Sequence, residues 1–350
     1  MQTVSPEALY SAFRHQTTVI RTRVAPWVPH WTPVLMAALV ALIAVDGEFV
    51  YDDIPSIVEN PTFEPSGSFS DVWTSDIWGY PLAESVRGYR PLTNSIWWTL
   101  WQAFPGSPVP FRLLTALAHC LATLAVVRLA ALMTPKLWVV GAAGFLFAMH
   151  PIHTEALGGI TWQSDVLSAC LGLWGLLLCL YPLGAKRMAM ASLLFLAAIL
   201  TKESGFLFPF AGAVLFAVAQ NKGRWSRIGL LITLGLTGFA VALQLTLNRS
   251  FGELGSNNLV YGADLGERLL LGLSIVGKGS LLLIAPHRLA PSHGYAEVDL
   301  EWVTLLPYAV LGMIAGSIFL WKFIEAVSQR DKLVASALVL WMAPIVLQSG

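Results

Sequence analysis

Ten apolar runs punctuate the chain, near 31–46, 112–133, 137–150, 164–182, 188–201, 204–219, 228–247, 268–285, 303–321 and 333–347. About 20 apolar residues carry an α-helix across a bilayer, so the longer runs predict membrane helices and the shorter ones tilted or partly embedded segments. Basic residues cluster between alternate runs: Arg14, Arg21 and Arg23, then Arg128 with Lys136, Lys186 with Arg187, Lys222 with Arg224 and Arg227, and Lys322 with Arg330. Positive loops stay cytoplasmic, which leaves 47–111, 150–163, 202–204 and 248–302 on the opposite face. The run 268–285 breaks the alternation if it crosses fully. Its Lys278 and three glycines predict a broken, re-entrant or interfacial segment instead.

This reading gives an all-α polytopic membrane protein, with a cytoplasmic segment 1–30 and one membrane domain over 31–350. No internal repeat or low-complexity linker divides it. The first run follows an arginine-bearing segment and is not followed by a small-residue cleavage site, so it reads as the first membrane helix. Composition agrees: 56% of residues are hydrophobic and 12% charged, and the mean hydropathy is +0.65. A soluble domain carries roughly twice that charge. The net charge of zero gives no reason to expect a nucleic-acid partner. Cys120, Cys170 and Cys179 all lie inside apolar runs with no CxxC spacing, so they read as packing residues rather than a disulfide or zinc framework.

The outer segment 47–111 is far longer than an ordinary connection. In GYRPLTNSIWWTLWQAF, Trp97, Trp98, Trp101 and Phe104 recur at helical spacing, which suits either an amphipathic helix in the interface or simple packing. The same segment opens with DGEFVYDDIPSIVENP, where Asp52 and Asp53 stand side by side just beyond the first membrane run. Adjacent carboxylates repel, and burying either one is costly. They are a solvated loop or helix cap on one reading, a catalytic base or metal ligand on the other.

Further ionisable groups gather on the outer face, where such residues are expensive and often functional. They are Arg87 and Arg90 in ESVRGYRPL, His150, His153 and Glu155 in MHPIHTEA, Asp165, Lys202 and Glu203 in LTKES, then Arg249, Arg268, Lys278, Arg288 and His293. HPIHTE resembles a metal-ligand cluster, although Pro151 interrupts any helix and the HExxH spacing is absent. Lys202 and Glu203 also read as an ion pair capping two helices. GKGS at 277–280 lacks the spacing of a phosphate-binding loop, and Asn248-Arg249-Ser250 is a glycosylation sequon only in a secretory setting. Transfer of a sugar from a lipid phosphate needs a carboxylate to accept a proton, cations to hold the departing phosphate and an apolar groove for the lipid. The outer-face residues supply that set. A transporter or flippase of lipid-linked sugars is the alternative, but it would place polar groups near the midplane within paired repeats.

The stretches FVYDDIPSIVENP, DIWG, GYRPLTNSIWW, FRLLTALAHC, HPIHTEALGGITWQSDVLS and LTKESG follow one another in an order that resembles the transmembrane and tetratricopeptide-repeat-containing O-mannosyltransferases and their bacterial relatives, within the GT-C superfamily. RLLLGLSIVGKGSLLLIAPHRLAPSHGY resembles a later family segment. The resemblance implies a GT-C fold, a hexose (mannose foremost) on a polyprenyl or dolichyl phosphate donor, and inverting transfer to a hydroxyl of a protein or glycan. It also implies a site on the extracytoplasmic face of a bacterial inner membrane, or the luminal face of the endoplasmic reticulum. Asp52 would be the base, with Asp53 orienting the acceptor. Arg90, Lys202 and Arg87 would clamp the phosphate, Asp165 and Glu203 would join the donor site, and His150, His153 and Glu155 would shape the sugar pocket. A divalent metal, if used, would draw on Asp52, Asp53, His150 and His153. Two departures stand out. Gln163-Ser164 occupy a segment where the family carries an arginine, and the chain stops at Ser349-Gly350 where the family continues into further helices and repeats, as a truncated form or a fragment would.

Overall fold

The computed structural model describes residues 28–83, 88–181, 184–218, 223–247, 264–286 and 302–331, with a few positions near 289 and between 334 and 339. Arg87, Arg249, Arg288 and His293 and most of the tenth run lie outside the described residues. Eleven α-helices are described: α1 Val28–Leu42, α2 Pro91–Ala103, α3 Val109–Met133, α4 Leu137–Met149, α5 Thr154–Gly158, α6 Gln163–Leu180, α7 Ala185–Thr201, α8 Leu207–Val218, α9 Arg224–Leu247, α10 Leu265–Ile284 and α11 Trp302–Ser328. No strand occurs among the described residues.

Among the described residues, five helical stretches are long and apolar enough to cross a membrane: Val109–Met133, Leu137–Gly158, Gln163–Leu180, Arg224–Leu243 and Thr304–Ser328. Trp31–Leu42 and Glu203–Val218 are shorter apolar helices. The chain is therefore an all-α, multi-pass membrane protein. Leu35 and Leu39 on α1, Leu113 and Leu117 on α3, and Ile314, Ile318 and Trp321 on α11 are exposed, as lipid-facing side chains must be when tails replace water as solvent.

The most buried helix is α6, which packs against α3 on one side and α7 on the other. Small residues on α6 permit close neighbours: a Cβ at Gly175 would meet the Phe195 ring of α7 at 2.7 Å, and one at Gly172 the Phe208 ring of α8 at 2.0 Å. The helices α10 and α11 pair more closely still. A Cβ at Gly277 would lie 1.9 Å from the Tyr308 carbonyl oxygen, and one at Gly312 1.9 Å from that of Leu273. Nothing breaks α10. It runs as one helix of 20 residues, opened by a capping box between Asp264 and Glu267, so Gly277 serves close packing and the break that the sequence offered as one possibility does not occur.

The segment between α1 and α3 folds into a cap with its own core of Ile57, Phe63, Val72, Ile77, Trp97 and Phe111, closed from the α5–α6 connection by Ile160. Asn60 organises it from within: its amide donates to the Ser56 and Ile77 carbonyls, and its Oδ1 accepts from the Thr62 amide and hydroxyl. Gly79 sits at φ +83° directly over that oxygen, where any side chain would collide. Packing claims Trp97, which is fully buried, while Trp98 and Trp101 lean on the cap core and Phe104 is exposed. The Trp97 indole donates to Gln163 Oε1 at 2.8 Å and the Thr93 hydroxyl to the Thr201 carbonyl at 2.8 Å, so α2 ties the cap to α6 and α7.

Candidate active site

The two adjacent aspartates have opposite environments. Asp53 is 1% exposed, and Asp52 lies on the surface. Asp53 Oδ1 accepts the Thr161 amide at 2.7 Å and the Thr161 hydroxyl at 2.8 Å, and its Oδ2 accepts the Val50 amide at 3.1 Å. A buried carboxylate with three such donors is satisfied rather than strained. Beyond it the chain makes a single π-type turn, Ile54–Val58, closed by the Glu59 amide on the Ile54 carbonyl at 2.9 Å. The Ser56 hydroxyl donates to the Asp52 backbone carbonyl at 2.5 Å and lies 3.0 Å from the Thr161 hydroxyl. The Asp52 backbone is thereby held while its carboxylate faces outward.

Arg112 supports the same turn. It sits in the first turns of α3, 4% exposed, and donates to the Gly158 carbonyl at 2.7 Å and to the Glu48 carbonyl. Its guanidinium also interacts electrostatically with Asp53. Gly47 leaves room for it, since a Cβ there would stand 2.8 Å from the guanidinium carbon. Sequence reasoning passed over Arg112, because it is a single charge at the mouth of an apolar run.

Thr161 carries the network onward. Its carbonyl accepts the Ser164 hydroxyl at 3.2 Å, and Ser164 Oγ in turn accepts Arg90 Nη1 at 3.1 Å. Arg90 binds Glu203 through both ends of its guanidinium, Nε to Oε2 at 2.9 Å and Nη2 to Oε1 at 2.6 Å. Lys202 Nζ lies 2.5 Å from Asp165 Oδ2. So Asp53, Asp165, Arg90, Lys202 and Glu203 come together, joined by the neutral residues Thr161 and Ser164. Gln163 is packed away from this line, fully buried, bonding Trp97, the Phe111 carbonyl and Thr115 Oγ1.

The residues expected to clamp the phosphate are ion-paired in the structure. Arg90 is held bidentately, with a side chain 14% exposed. Burial alone would raise the Glu203 carboxyl, but Arg90 first and Lys202 second overcome it and bring the group down to about 2. The Lys202–Asp165 pair is looser, a single contact with the Asp165 side chain 41% exposed. Charges of both signs are matched, so the cluster is close to neutral.

The histidines do not join this line. His150 Nδ1 accepts the Ile152 amide at 3.2 Å, which fixes the proton on Nε2 for its 3.0 Å bond to the Leu283 carbonyl. His153 packs on Phe147 and His119, with ring centroids 4.9 and 5.4 Å apart. His119 itself bonds the Ala148 carbonyl at 3.1 Å. Glu155 is half-buried in the first turn of α5. Among the described residues no three His, Cys, Asp or Glu side chains converge so as to hold a metal ion. Both oxygens of Asp53 and both ring nitrogens of His150 are engaged in protein hydrogen bonds, so the metal set expected from the sequence does not fit, and no step below passes through a metal.

No family model matches the chain and no solved structure matches it. Curated relatives do. The chain is 37% identical over 139 residues to the protein O-mannosyl-transferase Tmtc2 of Drosophila melanogaster, covering 39% of this chain and 15% of that one. It is 36% identical over 132 residues to the protein O-mannosyl-transferase TMTC1 of Homo sapiens, 37% of this chain and 15% of the relative. A protein O-mannosyl-transferase of Caenorhabditis elegans is 28% identical over 204 residues, 57% of this chain and 29% of its own length. The chain thus spans less than a third of each of these relatives, and its similarity is to protein O-mannosyl-transferases.

Proposed function

We propose that the chain carries the catalytic region of a GT-C-type membrane mannosyltransferase. It would move a hexose from a polyprenyl or dolichyl phosphate to a hydroxyl of a protein or glycan, with inversion, on the extracytoplasmic face. The observation that supports this best is the division of labour in the aspartate pair. Asp53 is buried and hydrogen-bonded, while Asp52, its backbone pinned by Ser56, presents a carboxylate to the surface. A base that must reach an acceptor hydroxyl needs that exposure and that fixed backbone.

In the reaction the acceptor oxygen attacks the anomeric carbon as the bond from that carbon to the phosphate oxygen breaks. The acceptor proton passes to the Asp52 carboxylate. A carboxylate is a weak base toward an alcohol, so this transfer comes late, after the new carbon–oxygen bond has formed in large part. The lipid phosphate leaves with the electron pair and needs a cation. Lys202 suits that role better than Arg90, because it meets its Asp165 partner through one contact that a phosphate could replace, where Arg90 holds Glu203 through two. Arg90 is committed to Glu203 and acts as the strut between the cap and the α7–α8 connection.

The test is donor choice. Membranes bearing the chain are supplied with radiolabelled polyprenyl-phosphate mannose or with a nucleotide-linked mannose, and label in protein or glycan is counted. Transfer from the lipid-linked donor alone is the expected result. Transfer from the nucleotide donor, with the lipid-linked one inert, would remove the basis for the proposal.

A further inference from the structure

Tyr51, next to the exposed Asp52, has a backbone φ of +47°. Among the described non-glycine residues only Tyr51 and Arg330 are left-handed. A bulky side chain is an uncommon occupant of that region, and glycine is the ordinary choice. The conformation is imposed from both sides. The Asp53 amide bonds the Val50 carbonyl at 2.9 Å, the Ile54 amide bonds the Tyr51 carbonyl at 3.1 Å, and the Asp53 carboxylate accepts the Val50 amide at 3.1 Å. The buried Asp53 thus fixes the turn in which residue 51 takes the left-handed form.

The Tyr51 ring gives nothing back to the fold, since the residue is 75% exposed. A large aromatic held in an unfavourable backbone state, and unused for packing, is what a ligand-contact position looks like. One residue on, Asp52 offers the exposed carboxylate. Together they present an apolar ring face beside an anionic acceptor, and a pyranose matches both, with one face of C–H groups and an edge of hydroxyls.

We infer that Tyr51 is a hexose-contacting residue, its ring stacking on the pyranose that Asp52 addresses. This rests on the proposed sugar-transfer reading for the sugar's identity, though not on turnover. The left-handed turn exposes these two consecutive residues at the surface, and Asp53, Thr161 and Val50 hold the turn. The pyranose comes either from the lipid-linked donor or from a glycan acceptor.

The experiment measures affinity of the full chain in nanodiscs for three probes: polyprenyl-phosphate mannose, bare polyprenyl phosphate and methyl mannoside. Wild type is compared with Tyr51→Phe and Tyr51→Gly, with thermal unfolding alongside. Tyr51→Gly should bind a mannose-bearing probe about tenfold more weakly. Bare polyprenyl phosphate should be unaffected, and Tyr51→Phe should bind like wild type. The melting temperature of Tyr51→Gly should be equal or higher, because glycine suits φ +47°. A loss on the lipid-linked probe alone assigns the contact to the donor, and a loss on methyl mannoside as well assigns it to any bound mannose. Equal losses on mannosyl and bare lipid would mark Tyr51 as a membrane anchor and overturn the inference, as would unchanged binding of all probes. A sugar-selective loss in Tyr51→Gly in a chain that transfers nothing would retain the inference and count against the transferase reading.

Discussion

Replacing Asp53 by alanine separates its role from that of Asp52 more sharply than any other substitution. The change removes the acceptor for the Thr161 amide, the Thr161 hydroxyl and the Val50 amide, at a site 1% exposed. Each buried donor stranded in this way costs about 1–3 kcal/mol. Arg112 also loses a countercharge. Thr161 and Val50 can recover part of the loss by relaxing toward water, so the sum is about 3–5 kcal/mol, within the range for breaking a buried charged contact. Asp52→Asn removes no contact made by the side chain and should cost less than about 0.5 kcal/mol. Thermal unfolding of the purified chain in detergent, followed by loss of tryptophan fluorescence, reads both. A melting temperature several degrees lower for Asp53→Ala, with Asp52→Asn close to wild type, is the expected pattern. Equal stability of the two variants, or a larger loss at Asp52, would refute the assignment of Asp53 as the structural member of the pair.

Other consequences can be measured in the same preparation. Glu203→Gln leaves Arg90 without its bidentate carboxylate and should cost about 1 kcal/mol, with a double-mutant cycle against Arg90→Met showing coupling of that size. The Glu203 carboxyl is depressed to about 2 in the folded chain, below the ordinary carboxylate value. Its contribution to stability is therefore complete above about pH 5 and lost as pH falls toward 2, with Glu203→Gln flattening that acid limb. The Glu203 side chain is 38% exposed, so solvent screening limits this contribution to about 1 kcal/mol. Gly277→Ala would drive a methyl group against the Tyr308 carbonyl and should part α10 from α11. It should cost about 1–3 kcal/mol in unfolding and weaken cysteine cross-linking between the two helices.

The helices were legible because lipid demands long apolar runs, and most runs correspond to a helix within a few residues. The cap was less legible. Its core draws on Ile57, Phe63, Val72 and Ile77, scattered through a polar segment, and is closed by Ile160 from a distant connection. The continuity of α10 was not legible, because glycines within one helix signal either a break or a close partner and only the position of α11 decides. At the site the acidic pair stood out, yet nothing local says which aspartate is buried. That depends on Thr161, 108 residues away. Charge alone also marked Arg90 and Lys202 as anion binders, although their carboxylate partners lie 113 and 37 residues off in the chain. Thr161, Ser164 and Arg112, which connect these groups, carry no motif of their own.

Asp52 is the proposed acceptor of the proton in sugar transfer from a lipid phosphate. That role is tested most directly by mannose transfer from polyprenyl-phosphate mannose in membranes holding equal amounts of folded wild type and Asp52→Asn. Transfer should fall at least about a hundredfold in the variant, while its unfolding curve and its binding of the donor stay those of the wild type. Transfer at the wild-type rate by Asp52→Asn would contradict that role.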